Sequence, residues 1–397
     1  MILPQGHSIY EFCPVQRPAN DASTSVVTTH FDYHSISGRL LKLDVLGHDV
    51  PTIIRSLHDT TGIDPRTVDL GDKQVISLFT SPEALGVTEK EIRCKTGTLG
   101  LPEFGTSFVR QMLMDTNPDT FSELVRISGL SHGTDVWINN AADLIRNKIA
   151  TLKEVIPTRD DIMVYLVKCG VEKKASFRIM ESVRRGKGVR PDDEALMIEA
   201  GIPDWYIQSC KRIKYMFPKG HAVAYVMMTV RIAYFKIHHP YSFYAALFSV
   251  KYDDFDYETM CCGKDAALRE MNRILELGKD VTAKDKSKQT VLELVVEMYA
   301  RGLGFLKLDL YNAHASKFTV TDEGLMPPLC SIQGLGLTAA QSIVGARSQE
   351  AFTTIEDFRN RTNVNKTVIE LLKENHILDG LPETDQMSLF HAGELWC

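Results

Sequence analysis

The spacing of apolar residues changes period along the chain. From Arg39 to Gly47 the order Arg-Leu-Leu-Lys-Leu-Asp-Val-Leu-Gly sets Leu41, Leu43 and Val45 on one side of a period-2 strand. Lys42 and Asp44 fall on the other side. Pro51 then opens a helix that carries Ile53, Ile54 and Leu57 at helical spacing up to Thr60. Residues 1–58 therefore read as β-rich with a helix at their end.

The pattern over 59–262 is mainly helical. Phe104 to Met114, Thr120 to Ile127, Asp160 to Lys168 and Lys174 to Arg185 carry apolar residues three and four apart, with Gly and Pro between them. Ala222 to His238 reads as a long apolar helix. Arg231, Lys236 and His238, with His239 just beyond, suit its C-terminal dipole, and Pro240 acts as a stop. Residues 263–327 are mixed, with a helix over Thr290 to Gly302 and short strands between Phe305 and Thr321.

Residues 328–380 repeat a small plan. The tight turn Ile332-Gln333-Gly334-Leu335-Gly336 precedes Thr338-Ala339-Ala340-Gln341, a capping-box pattern that opens a helix. Thr353-Thr354-Ile355-Glu356 opens another. The turn Thr362 to Asn365 leads to a last helix with Val368, Leu371 and Leu372 on one face. Residues 381–397 have little helical pattern and read as a mobile tail. The predicted fold class is α+β, mostly helical.

Composition sets outer bounds. The chain has 397 residues, 44% of them hydrophobic and 24% charged, which suits about two to four domains. No stretch approaches the roughly 20 apolar residues of a membrane helix, and the N-terminus lacks a signal-peptide pattern. The expected location is the cytoplasm. The 8 cysteines are scattered without a C-x-x-C spacing, so neither a zinc site nor a disulfide framework is expected.

The net charge of -6 alone argues against nucleic-acid binding. Two basic stretches, 178–190 and 211–219, change that picture. Such stretches serve phosphate binding or are simply solvated helix faces, and charge alone does not separate the two.

Four places could carry chemistry. Gly334 and Gly336 allow close backbone approach to a phosphate, and the following helix start adds partial positive charge. That is a helix-hairpin-helix signature, which grips phosphates without reading bases. Asp44 on a strand face could bind Mg2+, or could be a strand-edge acid in a salt bridge; Asp32 and Asp49 have no compelling spacing to it. Lys219 and His221 stand at a helix start beside Tyr215, as a point charge, a proton donor and a ring that can stack on a base. A capped helix with surface charge gives the same pattern. Finally, Gln386-Met387-Ser388-Leu389-Phe390 on a polar tail could anchor an extended peptide in an apolar pocket.

Longer strings add a family resemblance. Thr29 to Ile36 and Leu41 to Asp49 resemble the second palm segment of PolC-type bacterial DNA polymerase III alpha subunits. Gly100-Leu101-Pro102-Glu103-Phe104-Gly105-Thr106, Ser128 to Trp137, Arg159 to Tyr165 and Tyr215 to His221 resemble the fingers of that family. The resemblance runs from about residue 5 to residue 390. It implies part of a DNA-directed DNA polymerase that adds deoxynucleotides to a primer end, with two Mg2+ ions and dNTP substrates. Primer-template DNA, a bacterial sliding clamp and replisome subunits would be its partners.

By this resemblance Asp44 matches a catalytic, metal-binding palm aspartate. Arg159, Tyr215, Lys219 and His221 match positions facing the incoming nucleotide. Gly334 and Gly336 match the duplex-binding hairpin, and Gln386, Leu389 and Phe390 match the clamp motif. The implied order is palm end at 1–58, fingers at 59–262, duplex-binding domain at 263–380 with its hairpins at 328–380, and a clamp-binding tail at 381–397.

Three departures stand out. The family's Pro-Asp-Ile-Asp segment, with two further metal-binding aspartates, is absent, as are its upstream exonuclease, amidohydrolase-like and zinc modules. Gly220 stands where Ala or Ser is usual, and His391 to Cys397 extends past the clamp motif. The chain is thus expected to be a fragment or one part of a split subunit, inactive alone. The rival reading is a non-catalytic DNA- and clamp-binding module. A helix-hairpin-helix nuclease fits poorly, since no acidic cluster is visible.

Overall fold

A computed structural model describes residues 1–43, 47–362 and 364–384. Asp44 and the pentapeptide Gln386 to Phe390, including Leu389, lie outside the described residues. The chain divides into two units, Met1–Asp49 and Val50–Cys397.

The first unit has little regular structure. Strands β1 (Val15–Gln16) and β2 (Thr28–Thr29) form one antiparallel pair. Cys13, Ile36 and Leu40 make a small core lined by Leu3, Ile9 and Phe12. The strand expected from Arg39 is not formed over its described part. Leu41 makes a single bridge to Ile2, and Leu41 and Leu43 remain exposed. Alternation marks a strand only where a neighbouring strand pairs with it and a surface covers its apolar side. Among the described residues, Ile2 supplies one bridge and no such surface, so this unit is not β-rich.

The second unit is helical, as the 3.6-residue spacing predicts. Helix α1 (Asp49–Thr61) buries Val50, Ile53 and Leu57. After it come α2 (Ser107–Thr116), α3 (Phe121–His132), α4 (Arg159–Lys168) and α5 (Lys173–Arg184). Thr106 and Thr120 cap α2 and α3 by accepting backbone N–H groups three residues on. The longest helix, α6 (Lys219–His238), runs through the main core against α3 and against α7 (Pro240–Val250). Pro240 ends α6 and, as the first residue of α7, also starts the next helix, where its missing N–H has no intrahelical partner to lose.

Lys236 lies deep inside the molecule and does not serve the helix dipole. It is fully buried, and its ammonium donates to Gly97 O at 2.8 Å, Leu99 O at 2.6 Å and Glu297 at 2.9 Å. Glu297 belongs to α8 (Ala283–Ala300) and also accepts from the Tyr244 hydroxyl at 2.7 Å. Arg301 adds a bond to Lys236 O at 2.8 Å. Burial pushes the ammonium's pKa down, and the facing carboxylate opposes that shift. A helix-end reading misses this because Lys236, two residues short of the end, faces inward.

A second core holds Leu308 to Leu378 together. It contains α9 (Leu337–Arg347), α10 (Ile355–Thr362) and α11 (Lys366–Glu374), with Val368 and Leu372 buried. Near it, β3 (Thr319–Val320) pairs with β4 (Leu325–Met326) as the one strand pair where several short strands were expected. The capping assignments shift by a residue or two. Gly336, not Thr338, is the N-cap of α9, and it offers no side-chain cap. Thr354 caps α10 by accepting from Asp357 N–H at 2.9 Å, while the Asp357 carboxylate accepts from Thr353 N–H. Among the described residues, no helix is long and apolar enough to cross a membrane.

Candidate functional site

Two helix starts meet in the second unit. Thr158 precedes α4, whose first turn holds Arg159, Asp160 and Asp161, and Pro218 precedes α6, whose first turn holds Lys219 and His221. Pro218 has no side chain able to cap α6. Asp160 does so from the other helix, its Oδ2 accepting Lys219 N–H at 2.7 Å. The Arg159 N–H in turn donates to Phe217 O at 3.5 Å. The two helix ends are thus joined by one backbone-to-carboxylate and one backbone-to-backbone hydrogen bond.

The side chains repeat the link. Lys219 Nζ lies 2.7 Å from Asp161 Oδ1, and Thr158 Oγ1 donates to the other Asp161 oxygen at 2.5 Å. Below them Arg126 donates to Leu152 O at 2.7 Å and Val155 O at 2.6 Å, with its guanidinium 4.0 Å from Asp161. Arg159 is 4.0 Å from Asp160. Lysine at a helix start opposes the dipole, so Lys219 needs a nearby anion, and Asp161 fills that place. Lys219 is exposed and Arg159 half-buried, so an incoming phosphate group can reach both cations.

An aromatic stack backs this cluster. The His132 ring stacks on Phe217 with centroids 4.8 Å apart, and His221 meets Phe217 and Tyr225 edge-on at 5.2 and 4.9 Å. His132 Nε2 is held by Glu103 Oε2 at 2.5 Å. That bond holds the His132 imidazole above its ordinary pKa against the opposing effect of burial. Tyr215, 46% exposed, lies in the strand-like bridge to Thr134. Gly133 lies under that bridge: a Cβ there would meet Val136 Cγ2 at 2.3 Å and Tyr215 O at 3.0 Å.

The structure therefore brings Arg159, Lys219 and His221 into one neighbourhood, with Tyr215 on the adjoining segment. Sequence reading missed Asp160 and Asp161 as the partners of Lys219, and missed the Glu103–His132 bond. Their only signal was membership of the quoted strings. The basic stretches turn out to be largely paired within the fold: Arg178 and Arg190 with the buried Asp193, Arg184 and Arg185 with Glu181, and Lys211 with Glu194.

The hairpin lies in the second core. Gly334 has φ +94°, a conformation that glycine alone adopts without strain, and Gly336 starts α9 with open space around its Cα. Leu337, Thr338 and Ala339 follow at the exposed or half-exposed start of α9, where backbone N–H groups have no intrahelical acceptor. Such a start suits a phosphate.

Among the described residues no three His, Cys, Asp or Glu side chains are grouped to hold a metal. These residues do not by themselves provide a metal centre.

Residues 50–202 match the bacterial DNA polymerase III alpha subunit finger domain, and residues 302–387 match a helix-hairpin-helix motif family. The chain is 57% identical over 390 residues to the PolC-type DNA polymerase III of Clostridium perfringens, 58% to that of Caldanaerobacter subterraneus and 54% to that of Bacillus subtilis. Each alignment covers 98% of this chain and 27 or 28% of the relative, so the chain spans about a quarter of their length. The finger-domain match starts one residue past Asp49 and a hairpin match covers the second core, and over nearly its whole length the chain is similar to one segment of PolC-type DNA polymerase III proteins.

Proposed function

We propose that this chain supplies the fingers and duplex-binding parts of a template-directed DNA polymerase, which adds deoxynucleotides to a primer end. The observation that carries the reading is the meeting of two helix starts, with Lys219 and Arg159 beside them. Lys219 and Arg159 neutralise the triphosphate of the incoming nucleotide, and Tyr215 packs on the nascent base pair. His221, on the same first turn as Lys219, faces the nucleotide and can donate a proton to it.

Asp44 is the one metal ligand we assign to this chain. It would act with carboxylates outside it. When bound, Mg2+ activates the 3′ oxygen and stabilises the departing pyrophosphate.

Gly334 and Gly336 hold the duplex by its backbone. Gln386, Leu389 and Phe390 attach the tail to a sliding clamp, which keeps the enzyme with its replisome partners. Residues 1–58 are assigned to the palm end and 59–262 to the fingers; the division after Asp49 and the start of the finger-domain match at residue 50 favour moving that boundary nine residues earlier. Residues 263–380 form the duplex-binding part.

A photoreactive dNTP analogue tests the reading. With the full chain, primer-template and Mg2+, crosslinks should fall between residues 159 and 221, competed by unlabelled dNTP. Crosslinks spread evenly over the chain, or none competed by dNTP, would overturn it.

A further inference from the structure

The end of α3 grips the segment that leads into α6. The His132 ring stacks on Phe217, with centroids 4.8 Å apart and 24° between the planes. Two residues on, Thr134 N–H donates to Tyr215 O at 3.0 Å, and Lys214 N–H donates to Thr134 O at 3.0 Å. The far side of His132 is tied to the middle of α6. Its Nε2 meets Glu103 Oε2 at 2.5 Å, and Pro102 O, one residue before, accepts from Thr229 Oγ1 at 3.0 Å. A closed circuit therefore runs from Thr229 through the Pro102–Glu103 turn and His132 to Phe217, and back along the helix.

Two features of the circuit go beyond packing. Glu103 has φ +67°, in the left-handed region, where a residue with a side chain is strained. Such strain persists only where the surroundings hold it, and here it accompanies a carboxylate delivered to His132. The second feature is the charge on the ring. Ser131 Oγ donates to Ser128 O at 3.0 Å. His132 Nδ1 faces that same carbonyl at 2.8 Å and Ser131 Oγ at 2.9 Å. With the hydroxyl proton committed, Nδ1 must donate. Nε2 faces a carboxylate, which also accepts. Both ring nitrogens thus carry protons, and the ring is an imidazolium. Its place as the last residue of α3 favours the same charge. Among the described residues, Glu103 is its one ion-pair partner.

We propose that His132 is a positioning residue for the nucleotide site: as an imidazolium held by Glu103, it fixes Phe217 and thereby the Tyr215–Lys219 segment. A cation over an aromatic face is attracted by the ring's electrons, so it holds Phe217 more firmly than a neutral ring does. The inference depends on the nucleotide reading of Lys219 and Tyr215 and deepens it, since His132 acts on both through Phe217 and the bridge to Thr134.

Two measurements on the full chain test this. With 15N-histidine, the ring nitrogens of His132 are assigned by their loss in His132→Phe, and their shifts report whether one or both carry a proton. Both should do so in wild type at neutral pH, and Glu103→Gln should shift the ring towards the neutral form. A neutral ring in wild type would overturn the proposal. The second measurement is the midpoint at which dNTP competes with the photoreactive analogue, with primer-template and Mg2+ present and melting profiles compared. His132→Phe keeps a ring and loses the charge, and should raise the midpoint about fivefold, with Glu103→Gln in the same direction. His132→Arg keeps a planar cation that can lie on Phe217 and donate to Glu103, and should return the midpoint to within about twofold of wild type. A ring that serves packing alone predicts the reverse order, with His132→Phe unchanged and His132→Arg weakened, and that result would overturn the proposal. Lys219→Gln separates the two readings. A midpoint moved by Lys219→Gln but not by His132→Phe removes this inference alone, and one moved by neither removes the nucleotide reading with it.

Discussion

Lys219 and Asp161 begin on the first turns of two different helices, yet their charged ends meet at 2.7 Å. The pair holds the Lys219 cation at the surface in the absence of a ligand. On the proposed function a triphosphate would draw Lys219 away from Asp161, an exchange of anions. Lys219→Gln should weaken dNTP-competed photolabelling by about 10- to 100-fold, the loss of a charged hydrogen bond worth roughly 1.5–3 kcal/mol. Lys219→Arg should retain part of it. Equal labelling in wild type and Lys219→Gln would remove Lys219 from the site.

Stability depends on a different lysine. Lys236 and Glu297 are both fully buried, so removing one leaves the other uncompensated. Lys236→Met should lower unfolding free energy by roughly 3–5 kcal/mol, read from denaturant midpoints. Adding Glu297→Leu should return part of the loss, though Tyr244 then lacks its acceptor. A Lys236→Met midpoint within error of wild type would show that the pair contributes little.

The Glu103–His132 bond predicts a pH dependence. His132 is held above its ordinary range, so its folded form keeps a proton that the unfolded chain releases near pH 6.5, an approximate value. This contribution is full below that range and is lost as pH rises through the folded value. Wild type should therefore lose stability as pH rises above about 6.5, and Glu103→Gln should lose less. Parallel midpoint-versus-pH curves for the two proteins would contradict it.

For the hairpin the two glycines separate fold from binding. Gly334→Val is strained by its positive φ and faces Leu371 Cδ1 at 3.0 Å, so it should destabilise the second core. Gly336 has open space, so Gly336→Val should fold normally and weaken duplex binding by obstructing the phosphate. Binding should fall steeply with salt and vary little with sequence. A Gly336→Val protein of wild-type affinity at fixed salt would refute the hairpin assignment.

The tail gives the last prediction. Leu389 and Phe390 can each contribute roughly 1.5–3 kcal/mol on full burial, reduced by the ordering of an extended segment. Leu389→Ala with Phe390→Ala should abolish most binding to a bacterial sliding clamp, while Met387→Ala should matter less. Titration of a labelled clamp with each protein decides the matter, and equal affinity for all would mark the pentapeptide as a chance match.

The helical unit was legible because apolar spacing marks the face each helix buries, as α1 does in the main core and Val368 and Leu372 do in the second. Over its described residues the expected strand at Leu41 is reduced to one bridge, because alternation says nothing about whether a partner strand exists. Lys236 misled for a related reason. A lysine near a helix end looks like a dipole contact until Glu297, 61 residues away in sequence, is brought against it. At the site, the cations could be picked out singly, but their carboxylate partners could not. Asp160 and Lys219 are 59 residues apart, and only folding places a carboxylate at the start of another helix.

The anchoring of α6 has a genetic consequence. Lys236 fixes the helix near one end, and the opposite end carries Lys219 and His221, about 25 Å away along the axis. On the proposed function, a change at Lys236 or Glu297 would disturb the packing of the helix whose other end meets the nucleotide. Screens for thermosensitive replication alleles in this family should recover substitutions at these two positions, and such alleles would present as nucleotide-handling defects although neither residue is near a nucleotide.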